Sequence, residues 1–173
     1  EKAGGAPVLL AGSEIYTGLE RGVIDATEWI GPSHDSQMGF DEIAKYYYSP
    51  GWHEMGTALE LIVNKEKFES LPTDLQAILR TASLRISTWI LSEMETKNAE
   101  ALATLVEKGV EIRPFPQEVI DQLRIYTDEV ISEITAVDPV AAKVYASYDA
   151  YRKRAAAWSE WTEKLFYTKI QTT

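Results

Sequence analysis

Apolar side chains return at the period of a helix for roughly 30 residues, a longer run than most globular helices provide. Leu75, Ile78, Leu79, Ala82, Ile86, Trp89 and Ile90 lead the run, and Met94, Ala101, Leu102 and Leu105 continue it. Leu71-Pro72-Thr73 introduces it, Thr73 with Gln76 makes a capping-box pattern, and Gly109 closes it. A helix of this length reaches beyond one packing unit.

More helix follows. Residues 110–115 read as a strand bounded by Pro114 and Pro116. The next helix carries Val119, Ile120, Leu123, Tyr126, Val130, Ile131 and Ile134. Asp138-Pro139 restarts a helix, with Asp as N-cap and Pro at the first helical position. In that last helix Val144, Tyr148, Tyr151, Ala155, Trp158, Thr162 and Leu165 alternate in steps of four and three. Such a seam packs against another lobe or another subunit. Its tyrosines and tryptophans fit a packing role at helical spacing.

The first third has α/β character. Residues 8–10, 23–29 and 59–63 read as strands. Ser13 is placed to cap a short helix over residues 14–21, which Gly22 ends. Gly31-Pro32 stops the second strand. A short helix is expected over residues 38–44, followed by the aromatic stretch Tyr46-Tyr47-Tyr48 and a turn at Ser49-Pro50-Gly51.

Composition narrows the function. A formal net charge of −10 disfavours binding to nucleic acid or to anionic membranes. A small anionic ligand remains compatible, because a local cation overrides the global field. The absence of cysteine excludes disulfides, zinc-thiolate sites and thiol nucleophiles. The chain opens on Glu1-Lys2-Ala3-Gly4-Gly5 without Met, which reads as a fragment or processed chain whose first lobe is absent.

Two segments carry candidate chemistry. Glu28 stands at the end of an expected strand before Gly31-Pro32, where open α/β sheets present ligands. It can hold a hard cation through oxygen, with the Trp29 carbonyl as a further ligand and the Trp29 ring as an apolar wall. The same spacing also suits a solvated strand-end carboxylate beside a core tryptophan. The second segment, residues 46–56 (Tyr46-Tyr47-Tyr48-Ser49-Pro50-Gly51-Trp52-His53-Glu54-Met55-Gly56), packs aromatics, one His and one Glu between two turn signals. It can bring Glu54 to the same cation, or can equally be a hairpin with aromatic packing. Glu28 and Glu54 also form a carboxylate pair of the kind used in acid–base catalysis. No phosphate loop, Gly-x-Ser-x-Gly or His-Glu-x-x-His motif accompanies them.

Several ordered motifs together resemble one family. Residues 14–29 (Glu14-Ile15-Tyr16-Thr17-Gly18-Leu19-Glu20-Arg21-Gly22-Val23-Ile24-Asp25-Ala26-Thr27-Glu28-Trp29) are similar to the solute-binding subunits of tripartite ATP-independent periplasmic (TRAP) transporters. So are Ala44-Lys45-Tyr46-Tyr47-Tyr48, Gly51-Trp52-His53-Glu54, Leu71-Pro72-Thr73-Asp74-Leu75-Gln76, Gly109-Val110 and Asp138-Pro139. The Glu-Trp and Gly-Trp-His-Glu motifs resemble the branch that binds 2-oxo acids and related monocarboxylates with a metal ion. The resemblance implies an α/β fold: a type II periplasmic-binding-protein-like lobe with long carboxy-terminal helices. It also implies that this chain is the carboxy-terminal part of such a protein.

The implied division puts a ligand-binding lobe and hinge segments in residues 1–70, and a mainly helical strap in residues 71–173. The implied cofactor is a sodium or calcium ion held by Glu28, the Trp29 carbonyl and Glu54, with Glu28 and Trp29 beside the substrate. The implied partners are a small organic acid, such as pyruvate or lactate, and the TRAP membrane permease, in the periplasm. A homodimer through the carboxy-terminal helices is implied too, and no catalysis. The arginine with which relatives clamp the substrate carboxylate lies ahead of Glu1, and Ser33 stands where relatives often carry an aromatic residue. The alternative to this reading is a helical protein-interaction module with no small ligand.

Overall fold

The computed structural model describes residues 1–53, 56 and 59–170. By contact the described chain forms two units, Ala6–Pro116 and a second made of Glu1–Gly5 with the residues from Gln117 onward.

The first unit begins with helix α1 (Gly12–Glu20). Its N-cap is Ala11 rather than Ser13, and the Ala11 N–H donates to the Glu14 side chain at 3.3 Å. The carboxylate therefore satisfies the backbone donor of the N-cap residue itself, as the third residue of a capping box does. Gly22 closes α1 at φ 67°, and Val23 N–H donates to the Gly18 carbonyl at 2.8 Å. Gly22 N–H donates to the Leu19 carbonyl, completing a Schellman motif.

Two short helices follow, α2 (Pro32–Gln37) and α3 (Phe40–Ile43). Proline opens α2 because its missing N–H is one that a first turn leaves unpaired in any case. Strand β1 (Tyr46–Ser49) pairs in parallel with β2 (Glu111–Pro114), Tyr46 opposite Glu111 and Tyr48 opposite Arg113. A parallel pair needs a long crossover. Here it contains α4 (Lys65–Glu69) and α5 (Thr73–Glu107).

Helix α5 runs for 35 residues and packs on α2. It ends in a second Schellman motif: Gly109 takes φ 87°, its N–H donates to Val106, and Val110 N–H donates to Leu105. Leu105, 2% exposed, and Val110 are both buried, which is the apolar contact this motif favours. With Ile15 and Phe40 they form the buried apolar set of this unit among the described residues. Burying each such side chain contributes about 1.5–3 kcal/mol.

Several expectations fail here for identifiable reasons. Residues 8–10, 23–29 and 59–63 join no ladder among the described residues. A strand exists only with a hydrogen-bonded neighbour, and their apolar side chains are largely uncovered, Leu9 at 99% and Ile62 at 89% exposure. The strand that does form is Tyr46-Tyr47-Tyr48-Ser49, whose aromatic residues suit a pleated surface. Thr73 is the first helical residue, not the cap. Pro72 holds the N-cap position, and Gln76 Nε2 donates to the Leu71 carbonyl at 2.9 Å instead of closing a box.

The second unit pairs α6 (Gln117–Val137) with α7 (Pro139–Ser159). Asp138 alone separates them, and its Oδ1 accepts from Val140 N–H at 2.8 Å and Ala141 N–H at 3.1 Å. The amino-terminal residues dock on α6 through Lys2 Nζ, which lies 3.0 Å from Glu129 and 2.8 Å from Glu133. The expected continuous seam breaks after Ser159. Thr162 leaves helical space at φ −122°, ψ −105°, and α8 (Glu163–Lys169) starts anew. Leu165 therefore belongs to a different helix from Tyr148, Tyr151 and Trp158.

Candidate functional site

The first unit sets the Glu28-Trp29 segment between α1 and α2. The Trp29 ring lies against the start of α1, so close that a Cβ at Gly12 would stand 2.9 Å from its Cη2. Just after Trp29 the backbone is held by one buried carboxylate. Asp35 Oδ1 accepts from Ile30 N–H and Gly31 N–H, both at 3.2 Å, and Oδ2 accepts from the Tyr47 hydroxyl at 2.6 Å. Burial, then the Asp35 carboxylate, then the charge of Glu28 hold the Tyr47 phenol well above its usual pKa, so it stays a donor. From α5, Asn98 Oδ1 accepts from Ser33 N–H at 3.0 Å. Ser33 is buried, and Arg21 serves as the C-cap of α1.

The second candidate segment follows β1. His53 Nε2 stands 3.7 Å from Glu28 Oε2, with side-chain exposures of 36% and 60%. That is ion-pair range but too long for a hydrogen bond. The Trp52 ring meets the His53 ring edge-on at 5.3 Å between centroids. Glu54 lies outside the described residues. Among the described residues, no three Asp, Glu or His side chains gather as a metal cluster. Glu28 and Trp29 offer a carboxylate and a carbonyl, oxygen donors of the class a hard cation takes, whereas the His53 imidazole suits softer metals better. Oxygen donors of this kind are compatible with a hard cation such as calcium or sodium, and two donors alone do not complete its shell.

Tyr47 falls within the second candidate segment, but no site role was read for Asp35, Asn98 or Gly12 in the sequence. Asp35 follows Gly31-Pro32 by one helical turn, which is the local signal of a side chain folding back on a helix start. Its link to Tyr47 and the tie from Asn98 arise only in the fold.

The chain matches the family model "bacterial extracellular solute-binding protein, family 7" over residues 1–138. It belongs to that family. A monocarboxylate 2-oxoacid-binding periplasmic protein of Nostoc sp. is 35% identical over 155 residues, covering 90% of this chain and 43% of the relative. A TRAP periplasmic solute-binding protein of Colwellia psychrerythraea, solved with calcium and pyruvate, shares 37% identity at a TM-score of 0.92, covering 98% of this chain and 52% of the other. A TRAP solute-binding protein of Bordetella bronchiseptica, a dimer with calcium and picolinate, gives 33%, 0.91, 95% and 49%. This family 7 chain therefore has the fold of TRAP periplasmic binding proteins and spans about half the length of the relatives it matches. No helix among its described residues is long and apolar enough to cross a membrane.

Proposed function

We propose that this family 7 chain is part of the periplasmic solute-binding component of a TRAP transporter. It holds a small 2-oxo or 2-hydroxy monocarboxylate, such as pyruvate or lactate, against a cation for the membrane permease. The observation that carries the reading is the 3.7 Å approach of His53 to Glu28. It supports convergence of the Glu28-Trp29 and Gly51-Trp52-His53-Glu54 segments on one site.

The chemistry follows from charge. A chain of net charge −10 repels a free carboxylate, and a cation beside the ligand offsets that repulsion. Glu28, the Trp29 carbonyl and Glu54 are the proposed ion ligands, with the Trp29 ring as the apolar wall. Calcium is the first ion to test, since two structural relatives were solved with it, and sodium the second. The ligand is captured and released unchanged. The segments around residues 28 and 59 are the proposed hinge-crossing chain, absorbing the backbone change as the ligand is enclosed. Exposed Tyr148, Tyr151 and Trp158 on α7 support a homodimer through the terminal helices.

Calorimetry of the full-length protein with pyruvate tests this, run with calcium, with sodium, and after chelation. Binding is expected only with a cation. Glu28→Gln and Glu54→Gln should each weaken it at least about tenfold, or about 1.4 kcal/mol. Equal affinity in all conditions and in both variants would remove the site. Conversion of pyruvate, seen by mass spectrometry, would favour an acid–base enzyme instead.

A further inference from the structure

The two segments proposed to hold the cation are joined by one buried carboxylate. Asp35 is buried on α2, and each of its oxygens faces a different segment. Oδ1 holds the Ile30 and Gly31 N–H groups, the two peptides directly after Trp29. Oδ2 holds the Tyr47 hydroxyl at 2.6 Å, on the strand that leads into Gly51-Trp52-His53. The peptide N–H groups cannot move away without stranding a buried carboxylate, which is costly in a dry setting. Tyr47 is equally constrained, because β1 is fixed in register against β2.

We propose that Asp35 and Tyr47 are positioning residues that set the spacing between the two halves of the cation site. The inference rests on the function proposed above. Rigid spacing of oxygen ligands determines how well a site holds its ion, and loss of an outer hydrogen-bond partner weakens metal affinity by roughly 10- to 100-fold. The pair therefore acts on cation affinity first and on the organic acid through the cation.

The test uses the full-length protein. Terbium, a calcium surrogate, is titrated by tryptophan-sensitised luminescence, and pyruvate with calcium by calorimetry. Tyr47→Phe keeps the ring and removes the hydroxyl. It should raise the terbium and calcium dissociation constants about tenfold. Asp35→Ala, which removes both acceptor oxygens and so frees Tyr47 and both peptides, should do more. Leu105→Val, a packing change in the same unit outside this hydrogen-bond set, lowers the melting temperature but should leave both constants unchanged. If Tyr47→Phe melts earlier yet binds as the parent does, or if Leu105→Val weakens binding as much, the pair is merely structural and the inference falls. If the parent protein binds neither terbium nor calcium with pyruvate, the proposed function fails and takes the inference with it.

Discussion

At Gly12 a missing methyl group decides where a tryptophan sits. A Cβ there would come within 2.9 Å of Trp29 Cη2 and 3.4 Å of Cζ3, so the ring and the first turn of α1 share space that only glycine leaves open. Gly12→Ala should displace the ring. Overpacking of this kind costs about 1–3 kcal/mol, against roughly 1 kcal/mol gained from the better helix former. The expected outcome is a lower denaturation midpoint together with altered tryptophan emission; a midpoint raised by helix propensity alone would mean the contact is soft. Little of this was legible beforehand. Trp29 stood out beside Gly31-Pro32, but its partner Gly12 is 17 positions away and carries no side chain to announce a contact. Asp35 was legible only through its place one turn after Gly31-Pro32. Its role depends on Tyr47, and the pairing is produced by tertiary structure rather than by spacing.

Elements were more readable where the signal was local. Asp138-Pro139 marks a helix start on its own chemistry, and the structure gives Asp138 both peptide donors of the first turn of α7. Asp138→Ala should destabilise by about 1 kcal/mol, measured as a shift in urea midpoint with unchanged slope. The glycine stops at Gly22 and Gly109 are legible for the same reason, since left-handed closure needs a residue without Cβ. Strands were less readable. The apolar runs at residues 8–10 and 59–63 have the right composition, but a strand is a relation between two segments, and no partner lies beside them in the described chain. The final seam failed differently: the four-and-three spacing persists through Thr162, while the backbone turns there. The Thr162 hydroxyl, which donates to Glu163 Oε2 at 2.6 Å and lies 3.0 Å from the Trp158 carbonyl, stabilises the turn, and no apolar periodicity reports that.

For the molecule as a whole, the proposed ligands should appear as stability. A cation and acid that bind only the folded state add RT ln(1 + [L]/Kd), about 2.7 kcal/mol at a hundredfold excess over Kd. The melting temperature of the full-length protein should therefore rise with pyruvate and calcium together. Pyruvate after chelation should leave it unmoved, as should calcium with Glu28→Gln. An equal rise with pyruvate after chelation would place the acid somewhere other than beside Glu28.

Asn98 grips Ser33 far along α5, 25 positions beyond Thr73. At 1.5 Å of rise per residue, that leaves an arm of about 37 Å between the grip and the start of the helix. Any tilt of α5 about that contact would therefore be magnified at its far end. A tilt of about 5° at that fulcrum would sweep the tip by about 3 Å, turning a displacement too small to see at Ser33 into one large enough for another molecule to sense.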